Sequence, residues 1–181
     1  MDTESLVNAV HLILWGHHVY PRDSFEPFLS DGAQLWKSKS LSLCNYIDTH
    51  LKIISDWTLC QFVHNINIVL YMDGKLSKIF TFKLSIGNPT SKHSTNELFN
   101  ELLNCTAAET ETATFEIVVQ VSNLLEPSKF VEKWKTSSEN SAADASRSSF
   151  VEWIVEPVGV KLPFSNSLQV ELLVYEPKKS E

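Results

Sequence analysis

Five glycines in 181 residues are too few for the backbone loops on which many enzymes depend. The chain has no G-x-S-x-G elbow, no glycine-rich phosphate cradle and no H-E-x-x-H pair, so the common signatures of hydrolases, nucleotide enzymes and zinc proteases are missing. Cysteine is sparse as well. Cys44, Cys60 and Cys105 are odd in number, lack C-x-x-C spacing and each sit inside an apolar segment, which reads as buried reduced thiols rather than zinc ligands or a disulfide framework. No apolar run approaches the roughly 18 residues of a membrane span, and the opening MDTESLVNAV has acids where a signal peptide has basic residues. The expectation is a soluble intracellular protein. Basic charge is also short: 15 Lys and Arg against 22 Asp and Glu give a net charge of -7, which argues against tight contact with DNA phosphates. No cofactor, metal or catalytic residue is expected.

What is present is material for a core. A composition 43% hydrophobic and 10% aromatic is that of a globular chain, and the length suits one domain. Leu6, Val10, Ile13 and Leu14 recur at three- and four-residue steps, with Ala9, Leu12 and Trp15 filling the rest of the circumference. A helix apolar all round is a buried one. Thr3 is the expected N-cap, and Pro21, which drives Tyr20 out of the α region, puts the helix end near Val19. Gln34 to Ser42 reads as a polar, basic loop. A second helix follows from about Leu41 to Thr58, with Leu43, Ile47, Leu51 and Ile54 as its buried stripe and Tyr46, His50, Ile53 and Trp57 at the core edge.

Leu59 to Tyr71 and Lys75 to Ile86 read as strands joined at Asp73-Gly74, a strong hairpin signal. In the second strand Leu76, Phe80, Phe82, Leu84 and Ile86 share a covered face, with Ser77, Thr81, Lys83 and Ser85 on a wetter one. Ser94 with Glu97 three residues on forms a capping box for a third helix bearing Leu98, Phe99, Leu102 and Leu103. Thr114 to Val121 alternates as a third, central strand. Asn123 to Arg147 has little apolar material and reads as a mobile loop. Strand texture returns at FVEWIVEP and VGVKLPF, and Leu168 to Val174 forms the last strand. Helices segregated from antiparallel strands indicate the α+β class.

Individual side chains offer little chemistry. His17, His18 and Asp23 read as a solvated surface, since adjacent helix positions face different ways. His11, on an apolar helix, reads as a satisfied core histidine. His64, alternating with Phe62 and Ile66, reads as packed. A small enzyme using His11 or His64 is the alternative to a binding protein.

The run Ala9-Val10-His11-Leu12-Ile13-Leu14, with Val19-Tyr20-Pro21 and Phe25 after it, resembles the first helix and exit corner of the HORMA-domain family. The resemblance is greatest to the branch formed by the accessory subunit of translesion DNA polymerase zeta. Leu43-Cys44-Asn45-Tyr46-Ile47 is similar to that branch's second helix, Phe150-Val151-Glu152-Trp153-Ile154 to its Phe-Pro-Trp-Ile segment, and Leu168 to Glu176 to its final strand. Lys133-Trp134 and Asp56-Trp57 look more like the spindle-checkpoint branch.

The resemblance implies a single HORMA domain over residues 1–181, with three helices on a mainly antiparallel sheet. The core would occupy about 1–122, and a C-terminal safety belt and final strands about 123–176, with topologies alternating between open and closed. It implies a non-catalytic adaptor in the nucleus, and also in the cytoplasm, that holds a proline-containing peptide of the polymerase-zeta catalytic subunit under the belt. Spindle-checkpoint or meiotic HORMA proteins are the other branches to which it points. Tyr46 and Trp153 match positions that meet the peptide, and Trp134 would anchor the belt. Glu171 and Leu173 stand where the polymerase branch carries the Gln and Tyr that dock the inserter polymerase, so they mark a second partner surface. A HORMA dimer is also implied.

Overall fold

The structure is a computed structural model. It describes residues 2–30, 32–59, 63–86, 94–105, 113–121, 153–165 and 168–177, and of residues 55–59, 86, 121, 153–165, 168, 169 and 177 the backbone alone. The expected loop Asn123 to Arg147, Trp134 and Cys60 lie outside the described residues.

Helix α1 (Thr3–Gly16) runs through the core, with Leu6, Ala9, Val10, Leu12, Ile13 and Leu14 all at most 1% exposed. Its N-cap is Asp2 rather than Thr3: the Asp2 carboxylate accepts from the Ser5 backbone N–H at 2.8 Å and the Ser5 hydroxyl at 2.7 Å. Those two bonds hold the Asp2 carboxyl below its ordinary pKa. The helix stops three residues earlier than the proline suggested. His18 turns left-handed at φ 52, and the Val19 N–H reaches back to the Leu14 carbonyl while that of His18 reaches Trp15. This is a Schellman closure, and it ends the helix before Pro21 has any influence.

Of the stretch Gln34 to Ser42 read as a loop, Gln34 to Ser38 is strand, the second arm of a hairpin. Strands β1 (Phe25–Ser30) and β2 (Ala33–Ser38) pair antiparallel, Phe25 opposite Ser38 and Ser30 opposite Ala33, with Gly32 at φ 81 in the turn. The hairpin lies on α1, where the Trp15 and Trp36 rings stack at 4.1 Å and the Arg22 guanidinium lies 4.8 Å from the Trp15 ring. Helix α2 (Leu41–Leu59) buries the expected stripe, with Leu43 at 9% exposure and Ile47, Leu51 and Ile54 at 0%.

Five strands form the main sheet in the order β5-β3-β4-β7-β6, every pairing antiparallel: β3 (Val63–Met72), β4 (Lys75–Ile86), β5 (Ala113–Val121), β6 (Trp153–Ser165) and β7 (Leu168–Pro177). Strand β5 is therefore an edge strand among the described residues, not the central one, because of the described strands only β3 pairs with it. Its one-sided alternation describes a half-covered strand but does not say how many neighbours it has. His64 is exposed rather than packed, since an irregularity between Val63 and Asn65 inserts it as an extra residue and shifts the strand's facing.

Phe80, Phe82 and Leu84 of β4 meet Val174, Leu172 and Val170 of β7 in register, and all are buried under the helices. Helix α3 (Thr95–Asn104) has both bonds of the Ser94–Glu97 capping box and buries Leu98, Phe99 and Leu102. On the sheet's other face Thr81, 5% exposed, donates to the Asn67 side chain at 2.8 Å. The β3–β4 turn has Asp73 at φ 51 and Gly74 at φ 71, the conformation of a type I′ turn. Open space surrounds Gly74, so Gly74→Ala is expected to cost about 1 to 2 kcal/mol through the left-handed backbone alone. Urea unfolding of the variant measures this, and an unchanged midpoint would contradict the turn.

Candidate groove and sheet edges

A groove of about 420 Å³ opens where the exit corner of α1, the end of β2, the start of α2 and β5 meet; its lining includes Tyr20, Pro21, Ser38, Ser42, Tyr46 and Phe115. The polar side is built from short hydroxyls, because the chain has to turn tightly between β2 and α2. Ser40 precedes α2 and its hydroxyl pairs with that of Ser42 at 3.0 Å, while the Ser38 hydroxyl accepts from the Ser40 N–H at 3.1 Å. Below them the Cys44 thiol donates to the Ser38 carbonyl at 3.1 Å, and burial pushes its pKa up. Lys39 ties the corner together, its ammonium on the Asp23 carbonyl at 2.7 Å and its backbone N–H on that of Ser24 at 2.8 Å.

The apolar side is aromatic. Phe115 stands between Tyr20 and Tyr46, meeting each edge-on at 6.4 and 6.0 Å between centroids. Tyr46 also leans on His50 at 4.2 Å, and the His50 Nδ1–H donates to the Tyr46 carbonyl at 2.6 Å. Tyr20 and Tyr46 nonetheless stay 37% and 41% exposed. Both phenols are raised above the ordinary tyrosine range by partial burial, and at Tyr46 the Glu116 charge adds to the effect. Large rings fixed by neighbours yet open to water suit the capture of an apolar side chain at little entropic cost.

Strand β5 borders this groove through Phe115, and its sequence ATFEIVVQV contains neither proline nor glycine. At the opposite edge β6 carries Pro157, Gly159 and Pro163, and its register against β7 breaks between Pro157 and Lys161 and again between Pro163 and Ser165. Prolines and bulges blunt an edge against further pairing.

The expected site residues separate accordingly. Tyr46 is in the groove, whereas Trp153 begins β6 opposite Pro177 of β7. Four inter-strand spacings, about 19 Å, part β6 from β5, so this strand order does not bring the two together. Glu171 and Leu173 are half-buried on the face of β7 turned away from the helices. Glu171 stands opposite Lys83 and Lys161, and Leu173 opposite Thr81 and Pro157. Sequence reasoning missed Tyr20 and Phe115 as partners of Tyr46; only the pairing of β5 beside α2 reveals them.

Two buried histidines, one in the first helix and one at its end, depart from expectation. His11 is fully buried with neither ring nitrogen hydrogen-bonded, so it is not the satisfied residue expected, and burial with the Lys37 charge lowers its pKa to about 4. His17 is buried rather than solvated, 1% exposed and edge-on to Phe80 at 5.1 Å. Burial first, then the Lys78 and His18 charges, lower it to about 3, with the Cys105 backbone acting in the other direction. Among the described residues no three His, Cys, Asp or Glu side chains gather to hold a metal, and no helix is long and apolar enough to cross a membrane. A second cleft, of about 740 Å³ between α1, the hairpin and α2, mixes Glu4 and Asp48 with Lys37 and Lys52.

No protein-family model and no curated protein sequence matches the chain. Solved structures do. A chain in the crystal structure of a mitotic checkpoint complex superposes with a TM-score of 0.72 at 14% identity, over 98% of this chain and 97% of that one. C. elegans HTP-1 bound to the HIM-3 closure motif gives 0.70 at 10% identity, over 96% and 87%. The same protein bound to HTP-3 motif-1 gives 0.69 at 11% identity over the same shares. The architecture is the α+β HORMA fold.

Proposed function

We propose that the chain is a non-catalytic HORMA adaptor that captures an extended segment of a partner protein by strand addition, closing its C-terminal strands over the segment. The observation that carries this reading is the contrast between the two sides of the β3–β4–β5 unit. The β6–β7 hairpin covers the β4 side, while the β5 side, unbroken by proline or glycine, has no strand on it among the described residues. In this reading the hairpin leaves β4, re-pairs beside β5, and the partner segment takes the vacated edge. Moving β6 across in this way carries Trp153 towards the groove of Tyr46, so the two aromatic positions converge only in the loaded state. The division into a core of about 1–122 and a belt of about 123–176, with Trp134 as belt anchor, belongs to this mechanism.

Two assignments within the fold have separate support. The similarity of Ala9 to Pro21 and of Leu168 to Glu176 to the polymerase-zeta accessory branch favours a nuclear translesion-synthesis adaptor. Its partner would be a proline-containing peptide of the polymerase-zeta catalytic subunit. Glu171 and Leu173 would then face a second repair factor such as an inserter polymerase, and a HORMA dimer is available. The likeness to the checkpoint-complex chain and to HTP-1 favours a spindle-checkpoint or meiotic role equally. Loss of the protein is expected to suppress damage-induced mutagenesis while leaving arrest in a spindle poison intact. The reverse pair of phenotypes would replace the first assignment with the second.

Tyr46→Ala tests the groove itself. Removing an interface aromatic is worth about 2 kcal/mol or more of binding, roughly 30-fold in affinity, while a ring already 41% exposed should cost the fold much less. Titration of the co-purifying partner peptide onto both proteins measures the first quantity and urea unfolding the second. Undiminished affinity would remove Tyr46 from the site.

A further inference from the structure

We propose that the β4 edge beneath β7 selects a partner segment by charge: an extended stretch acidic at two positions five residues apart and apolar at alternate positions between. This deepens the adaptor reading and rests on it. The template is β7 itself. Glu171 lies opposite Lys83, and Glu176 forms an ion pair with Lys78, the next register position beyond the Ile79–Tyr175 pair. Five is an odd spacing, so the two acids fall on opposite faces of a strand. Lys83 stands exposed on the open face, whereas Lys78 is 15% exposed on the helix side, its ammonium 5.7 Å from the centre of the Phe80 ring. Between them Leu172 and Val174 fill the buried face against Phe82 and Phe80. A segment slipped by one residue would point its apolar side chains outward and miss both lysines.

The requirement becomes strict when β7 departs. Lys78 then loses its counter-charge, and a segment that takes the place of β7 covers it again; a cation re-buried without a partner is costly. The incoming segment has to supply the carboxylate. The other edges cannot compete for it: β5 has no basic residue and carries Glu116, and β6 is interrupted by Pro157 and Pro163. Charge alone therefore tells the β4 edge from the β5 edge.

The test uses the full chain and a synthetic peptide of residues 168–177, LQVELLVYEP, beside the same peptide carrying Glu171→Lys and Glu176→Lys. Affinities are read by fluorescence anisotropy after long incubation; competition from the resident β7 is common to both and cancels in their ratio. Cross-strand and surface ion pairs are worth up to about fivefold each, and like charges directly opposite are destabilising, so the acidic peptide should bind about tenfold tighter than the lysine peptide. In protein carrying Lys78→Glu and Lys83→Glu the preference should invert. Should that double variant not fold, Lys83→Ala, at an exposed position, is expected to reduce the preference about fivefold. Amide exchange locates the peptide, with protection on β4 and faster exchange in β7 as the expected result. Equal affinity for the two peptides, or protection on β5 instead, would overturn the charge selection and leave the adaptor reading standing. Binding of neither peptide would overturn both.

Discussion

Lowering the pH from about 7.5 to about 5 is expected to remove about 4 kcal/mol of stability, half through His11 and half through His17. Both rings are buried and neutral in the folded chain, with pKa values lowered from 6.5 to about 4 and about 3. The unfolded chain therefore binds more protons than the folded one from pH 6.5 downward, and stability rises with pH across that window. The full contribution is present above 6.5. It is lost as pH falls, by up to about 1.4 kcal/mol per unit for each ring, and the loss levels off near pH 4 for His11 and near pH 3 for His17. Urea unfolding at the two pH values measures the difference. His11→Leu, which keeps the volume and removes the proton site, should halve it. A native midpoint unchanged between the two pH values would mean that these rings are hydrated.

Phe82→Ala is expected to cost about 3 to 5 kcal/mol, a large fraction of the roughly 5 to 15 kcal/mol that holds an ordinary domain folded. Phe82 is fully buried and sits in register between Ile66 of β3 and Leu172 of β7, both 1% exposed. The cavity would open beneath three strands at once. Leu29→Ala, at a residue 78% exposed on the small hairpin, should stay within about 0.5 kcal/mol. Similar losses in the two variants would contradict the position of the core.

Local pattern was legible where a signal is local. The α2 stripe, the Ser94–Glu97 box and the β4 alternation follow from periodicities of 3.6 and 2 and from one side-chain bond, and each is present in the structure. The first hairpin was equally available, since Asp31-Gly32 repeats the Asp-Gly signal of the β3–β4 turn. Its strands are hard to read because Phe25 to Ser38 carries Pro27 and ends in the polar pair Lys37-Ser38, and because β1 and β2 cover one helix rather than joining the main sheet. The end of α1 was misplaced because His18 occupies the left-handed position usually given to glycine. What no periodicity encodes is neighbourhood. That β5 lies at an edge, that Phe115 meets Tyr46, and that Lys78 finds Glu176 nearly a hundred positions later all depend on strand order. A single sequence holds that order only as the sum of many contacts.

The strand order also has a consequence for how the protein is made. Strands β3, β4 and β5 and all three helices are encoded before residue 122, whereas the strand that covers β4 is completed only at Pro177. At about 5 to 20 residues per second, the ribosome takes about 3 to 11 seconds to add the intervening stretch. Throughout that interval the edge beside Phe80, Phe82 and Leu84 has no resident strand. Under the proposed strand-addition mechanism, a partner segment synthesised nearby would meet an empty edge with no strand to displace, so capture during translation would avoid the displacement that the finished protein requires.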